Sequence, residues 1–266
     1  GSTDGSVEAF RSLKNPPYVI PISENKGFTG GNNEGMRYAV DQGYEFVWLL
    51  NNDTIVDKSA LDPLVAALAP LKAGIAGSKI YFAPGREFHA DRYTKKQQGN
   101  VIWYAGGVID WANMYTSHRG VDEVDTKQYD TQEQTEFITG CSMFIRRDVI
   151  EKIGYLDDRY YLYLEDVDYS LRAKREGFSL VYVPESRVWH INAGSTARPG
   201  NELHEYYLTR NRILVGMTYA PIRTKFALLR ESMRFFVTGS PIKRKAVWDA
   251  FTGKFGNHYL WQKNQP

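Results

Sequence analysis

Four groups of residues in this sequence carry chemistry by type and spacing. Asn51-Asn52-Asp53 closes the apolar run Phe46 to Leu50. Hard divalent cations such as Mg²⁺ and Mn²⁺ take oxygen ligands and are commonly shared between a carboxylate and substrate phosphates. An acidic residue at the end of a buried strand suits that work, although Asn and Asp also form ordinary turns. Glu165-Asp166-Val167-Asp168 opens a predicted helix. Such carboxylates complement the helix dipole and free N–H groups. With Tyr160, Tyr161 and Tyr163 nearby to shield it, one of them could instead keep a pKa high enough for general-base catalysis. His190 follows Arg187-Val188-Trp189 and reads as a core histidine or, when neutral, as a metal ligand. The stretch Asn25 to Gly35 is rich in Gly and Asn and precedes a helical pattern, so its backbone N–H groups could meet a phosphate. It has neither of the common phosphate-loop spacings.

These groups need elements to hold them. The spacing predicts a short helix from Val7 to Leu13, a strand from Tyr18 to Ile22, a loop from Asn25 to Asn33 and a helix from Glu34 to Gln42. Phe46 to Leu50 is short, aromatic and branched, which predicts a buried parallel strand. A helix over 59–68 and a strand over 74–80 follow. Residues 84–135 are polar and irregular and read as a long excursion near the site. Beyond them come a strand over 137–145, helices over 147–153 and 166–176, a strand over 179–183, and two or three helices after Glu202. This alternation predicts an α/β fold with a doubly wound, mostly parallel sheet and ligands at the strand ends.

Composition narrows the function. The chain has 266 residues, 42% of them hydrophobic and 24% charged, which is ordinary for a globular protein. It contains no apolar run of about 18 residues, the length of a membrane-spanning helix. Cys141 is the only cysteine, so no internal disulfide can form, which suits a reducing cytoplasm. Residues 221–266 carry nine Lys or Arg against two Asp or Glu. That basic tail reads either as a solvated helical face or as a surface for an anionic partner, a membrane or a lipid-linked phosphate. From Ile222 to Val237, the apolar residues Ile222, Phe226, Leu229, Met233, Phe236 and Val237 share one helical face, flanked by Arg223, Arg230 and Arg234. Lys243-Arg244-Lys245 follows. The pattern predicts peripheral contact with the inner face of a membrane, unless the stripe packs inward. No nucleic-acid motif or basic stripe appears elsewhere, so nucleic acid is not an expected partner.

Taken together, the motifs resemble family 2 of the glycosyltransferases, of GT-A fold, and in particular its rhamnosyltransferase-like members. The matching pieces are Gly1 to Ser6, Asn25-Lys26-Gly27-Phe28 with Gly30 to Asn33, and Leu49 to Thr54. Thr139 to Met143, Tyr163 to Asp168, Val183-Pro184, Val188-Trp189-His190 and Tyr206 to Arg212 continue the series. The resemblance covers residues 1 to about 215 and implies a catalytic domain there, with 216–266 as a basic helical appendage.

The resemblance implies an inverting transferase acting on a nucleotide-diphosphate sugar, with dTDP-rhamnose as a candidate donor, and on a glycan or lipid-linked acceptor. Asn51-Asn52-Asp53 occupies the family's D-x-D place, with Asn51 where the first Asp stands. Asp53 would then hold Mg²⁺ or Mn²⁺, with His190 closing the metal site. Glu165-Asp166 matches the pair that supplies the base, with Asp166 favoured. Thr3 and Asp4 would lie near the donor nucleotide, joined in donor binding by Asn25, Gly27, Gly31, Asn32, Asn51 and Asn52. Family members also carry a strand, a helix and a second strand ahead of the position of Gly1. Without them the sheet is expected to expose unpaired edges and the chain to be a poor enzyme. Two other readings fit the same residues: a non-catalytic sugar-nucleotide-binding protein and a sugar nucleotidyltransferase.

Overall fold

The computed structural model describes residues 1–2, 4–69, 73–191 and 202–259. In chain order its helices are α1 (Ser6–Arg11), α2 (Gly27–Asp41), α3 (Leu61–Ala67), α4 (Arg147–Ile153), α5 (Glu165–Arg175), α6 (Glu202–Tyr219), α7 (Ile222–Thr238) and α8 (Pro241–Phe251). Its strands are β1 (Phe46–Leu50), β2 (Thr54–Val56), β3 (Ala73–Phe82), β4 (Ile102–Tyr104), β5 (Gly107–Asp110), β6 (Tyr115–His118), β7 (Glu133–Gln134), β8 (Ser142–Arg146) and β9 (Ser179–His190).

The main sheet runs β1-β8-β3-β9-β2, with β4 paired to β3 and β7 to β9, while β5 and β6 form a separate hairpin. All ten residues of β3 are buried, as a strand covered on both faces requires. The α/β class stands, and the sheet is mixed. Its parallel part is the long pair β3–β9, and the flanking pairs of β8, β2, β4 and β7 are antiparallel.

Several local expectations change. Phe46–Leu50 is a strand but not a parallel one: it pairs antiparallel with β8, Phe46 facing Arg146 and Leu50 facing Ser142. A short apolar run reports burial and carries no information about the direction of its partner. Tyr18 to Ile22 forms no strand. The Gly/Asn stretch expected as a loop forms the first turns of α2. Asn25 Oδ1 accepts from the Gly27 N–H at 2.9 Å, which begins the helix, and Asn33 is buried, bonded to the Leu156 backbone in both directions. Tertiary hydrogen bonds thus outweigh the poor helix propensity of Gly and Asn. The strand expected over 179–183 continues to His190. It absorbs extra residues at Pro184–Ser186, where the register with β3 jumps from Ser78↔Val183 to Lys79↔Arg187. Pro184 has no N–H for the ladder, so the strand bulges there and then resumes.

That bulge sets the geometry of the site. With the resumed register, His190 lies opposite Phe82 on β3 and opposite Thr54 on β2. Asp53, one residue before β2, is tied to the same place by the Ile191 N–H donating to the Asp53 carbonyl at 2.8 Å.

Candidate active site

The ends of β1, β8 and β9 and the start of α5 enclose a cavity of about 510 Å³. Asn51, Asp53, Glu165, Asp166 and His190 line it, so residues as far apart in sequence as Asn51 and His190 meet in one space. Asp53 Oδ2 lies 3.3 Å from His190 Nε2. The imidazole is the main reason the Asp53 carboxyl stays below its usual range, with partial burial opposing it. Asp53 Oδ1 and His190 Nδ1 are buried without a hydrogen-bond partner. A buried carboxylate oxygen with nothing to accept is an unmet demand for a donor or a cation. No group of three His, Cys, Asp or Glu gathers among the described residues. The pair therefore fits a divalent ion that draws its other ligands from a substrate diphosphate, the usual arrangement for Mg²⁺.

The carboxylate pair faces the same cavity from the first turn of α5. Asp166 Oδ2 accepts the Gly140 N–H at 2.9 Å and Oδ1 accepts the Val167 N–H at 2.8 Å. Burial raises the Asp166 carboxyl above its ordinary value, and these N–H groups hold it back. Gly140 is needed here because a Cβ would lie 2.8 Å from the Phe28 ring. Glu165 is 5% exposed and its Oε2 has no partner. Burial first, and then the charge of Asp166, push its carboxyl well up. A group whose folded pKa is raised is stabilising below its unfolded pKa, and that contribution is lost as pH rises through the folded pKa. Glu165→Gln is therefore expected to raise the melting temperature relative to the parent increasingly from weakly acidic to alkaline pH, with no difference in strong acid. Melting curves across pH check this, and a pH-independent difference would show that Glu165 does not titrate in the fold.

The chain entering α5 is strained. Tyr161, Tyr163 and Leu164 have φ of 65°, 70° and 67°, a region that costs non-glycine residues about 1–3 kcal/mol each. Helix α6 holds them there. Asn211 Nδ2 donates to the carbonyls of Tyr160, Leu162 and Tyr163 at 3.0, 2.8 and 2.8 Å. Fully buried Arg210 donates to the carbonyls of Arg159, Tyr160 and Gly256 and orients Asn211 through its Oδ1. Asn211→Ala is expected to lower stability by about 1–3 kcal/mol, the cost of orphaned buried polar groups. Denaturant unfolding measures it, and an unshifted midpoint would remove the clamp from this account.

The structure sorts the sequence candidates. Of the tyrosines expected to shield the carboxylates, only Tyr163 lines the cavity. Tyr160 reaches toward Asp168, its hydroxyl 3.4 Å from the carboxylate, and Tyr161 stacks on Tyr207 and bonds Asn25. The aromatic spacing is real, but the positive-φ turn aims those two rings elsewhere. Phe28, Phe137, Leu164 and Val167 supply apolar walls instead. Asn25 lines a different cavity, beside Tyr161 and Asp158. Gly27 packs against the Tyr161 ring, Asn32 bonds the Phe28 carbonyl within α2, and Gly31 lies on the same helix. Asn52 is exposed, and Asp4 is exposed, its Oδ1 accepting from the N–H and hydroxyl of Ser6. Thr3 lies outside the described residues.

Two cavity residues gave no sequence signal. Trp103 on β4 sits between His118 on β6, 4.3 Å away between ring centroids, and His190, at 4.8 Å. Burial pushes the His118 imidazole down to about 4, so it is neutral at physiological pH. Both residues come from the polar excursion 84–135, where no periodicity marks them.

The mixed sheet between helices, with a cavity at its strand ends, has the GT-A fold of glycosyltransferases. The chain belongs to the family described as glycosyltransferase like family 2, whose pattern matches residues 2–212. It is 25% identical over 237 residues to the N-acetylglucosaminyl-diphospho-decaprenol L-rhamnosyltransferase of Mycobacterium tuberculosis, covering 84% of this chain and 76% of that protein. It is 25% identical over 200 residues to a low-salt glycan biosynthesis hexosyltransferase of Haloferax volcanii, covering 75% of this chain and 60% of that one. Among solved structures, GalNAc-T7 with UDP, GalNAc and Mn²⁺ aligns with a TM-score of 0.59 at 14% identity, over 98% of this chain and 47% of that chain. This last likeness concerns the fold alone.

Proposed function

We propose that this chain transfers a sugar from a nucleotide-diphosphate donor to a hydroxyl of a glycan or lipid-linked acceptor, with inversion at the anomeric carbon. The observation that carries the reading is that the Asp53–His190 pair and the Glu165–Asp166 pair line one cavity. Asp53 and His190 would hold Mg²⁺ or Mn²⁺. Bound there, such an ion would neutralise the charge of the departing diphosphate. Asp166 takes the proton of the acceptor hydroxyl as its oxygen bonds to the anomeric carbon, while the bond from that carbon to the diphosphate oxygen breaks. Gly140 and Val167 hold the carboxylate in place through their N–H groups, and the apolar walls reduce access of competing water.

The kinship with a rhamnosyltransferase supports dTDP-rhamnose as the first donor to try, and a lipid-linked acceptor supports a cytoplasmic position at a membrane. Residues 216–266 serve as an appendage to the transfer site. The test is a panel of nucleotide sugars with Mn²⁺, Mg²⁺ or EDTA, read as release of nucleoside diphosphate. Metal-dependent release from one donor is expected. Donor binding without turnover, with or without an acceptor, would favour a sugar-nucleotide-binding protein.

A further inference from the structure

Helix α7 is amphipathic in an inverted sense. The face it buries holds Thr224, Leu228 and Ser232, and Thr224 donates its hydroxyl to the Trp111 carbonyl of the β5–β6 turn at 2.8 Å. Four large apolar residues of the stripe face outward: Ile222 is 70% exposed, Phe226 65%, Met233 64% and Val237 72%. The sequence left open whether this stripe packs inward, and in the fold it does not. The patch continues onto α8, where exposed Trp248 meets Phe236 with ring centroids 6.2 Å apart. An apolar face of this extent on a helix is an interaction surface.

The charges beside it indicate the partner. Arg223, Arg230 and Arg234 fall along one flank of the stripe at helical spacing, all exposed, and none has an ion-pair partner among the described residues. The two acidic residues of this region are already engaged, Glu231 with Arg212 and Asp249 with Lys245. The cluster Lys243-Arg244-Lys245, which stands out in the sequence, is used by the fold. Lys243 pairs with Glu205, Lys245 with Asp249, and Arg244 donates to the carbonyls of Val237 and Gly239 at the end of α7. Among the described residues, the unpaired cations that flank the stripe are therefore Arg223, Arg230 and Arg234 of α7.

We propose that the outer face of α7 and α8 docks on an anionic lipid surface, with Ile222, Phe226, Met233 and Val237 entering the interface and Arg223, Arg230 and Arg234 meeting lipid phosphates. A helix with an apolar stripe and a basic flank lies in the plane of such an interface. Among the described residues no helix is long and apolar enough to cross a membrane, so the contact is peripheral. The docking face adjoins the reaction cavity through the β5–β6 hairpin. Asn113 and Tyr115 form a groove with Arg212, Arg230 and Arg234, and the next residues of the hairpin, Thr116, Ser117 and His118, line the cavity. This arrangement would bring a lipid-linked acceptor to the cavity. That purpose rests on the proposed transfer, whereas the docking itself does not.

Vesicle co-sedimentation of the full chain tests it, using mixed phosphatidylglycerol–phosphatidylcholine vesicles against pure phosphatidylcholine. Sedimentation with the anionic vesicles is expected at about 0.1 M salt and should fall away near 1 M, where the screening length shrinks from about 10 Å to about 3 Å. Each cation near such a surface is worth about fivefold in partitioning, so Arg223→Ser, Arg230→Ser and Arg234→Ser together should weaken it by about a hundredfold. Phe226→Ser with Met233→Ser and Val237→Ser should abolish it, and circular dichroism should show both variants folded, since all six residues are exposed. No binding to anionic vesicles at low salt would overturn the proposal, as would binding that both variants retain. A wild-type dimer by light scattering that the apolar variant dissolves, with no vesicle binding, would assign the face to a second copy of the chain instead. Asp166→Asn should bind vesicles like the parent. A chain that binds vesicles but turns over no donor would sink the transfer reading and leave this one standing.

Discussion

Asp53→Ala is expected to cut metal-dependent donor turnover by about 10² to 10⁴-fold, since stabilising a departing diphosphate is worth several kcal/mol and each decade of rate costs about 1.4 kcal/mol. The physical case is that Asp53, in the turn between β1 and β2, lies beside His190, with one oxygen 3.3 Å from the imidazole and the other buried without a partner. Removing it leaves His190 as the one remaining member of the pair. Turnover of the parent should also disappear in EDTA and return with Mn²⁺ or Mg²⁺. Calorimetric titration with nucleoside diphosphate, with and without Mn²⁺, provides a readout apart from rate: the parent should bind more tightly with the ion, and Asp53→Ala should lose that difference. Full activity in EDTA would remove the metal from the mechanism.

Asp166→Asn is expected to lower transfer by about 10² to 10⁴-fold, the usual worth of a general base, while leaving donor affinity nearly unchanged. The substitution keeps the size of the side chain and an oxygen that can accept the Gly140 N–H, and it removes the basicity. Because burial raises the Asp166 carboxyl above its ordinary 3.8, and the base must be ionised to act, kcat/KM should fall as pH drops through that raised value. The acid limb should therefore sit above the usual aspartate range. Glu165 and Asp166 interact, so the limb belongs to the pair rather than to either group alone. Glu165→Gln serves as the control. If it abolished transfer and Asp166→Asn did not, the base would be Glu165, which lines the same cavity and whose Oε2 has no partner.

Much of this was legible along the chain because it depends on local order. The apolar run Phe46–Leu50, the acidic opening of α5 and the helix Arg147–Ile153 follow from periodicity and capping, which act over a few residues. The acidic motifs and the family resemblance marked Asp53, Asp166 and His190, and the structure brings all three to one cavity. The apolar stripe of α7, though not the side it faces, was also written in its spacing.

Tertiary structure decided the rest, because each remaining feature depends on pairing between distant segments. β1 is antiparallel because it pairs with β8, about 95 residues later. His190 reaches Asp53 because β9 bulges at Pro184 and then pairs with β2; a one-residue slip would turn that side chain to the other face. The rings of Tyr160 and Tyr161 stay out of the cavity because Asn211 and Arg210 hold the strained turn before α5, a contact across some 50 residues. Trp103 and His118 enter the cavity from a segment without periodicity. On α7, spacing defines two faces, but only packing against the hairpin at Trp111 determines which one is buried. Local sequence sets which residues share a face. The long-range hydrogen bonds that satisfy buried backbone groups set where each face points.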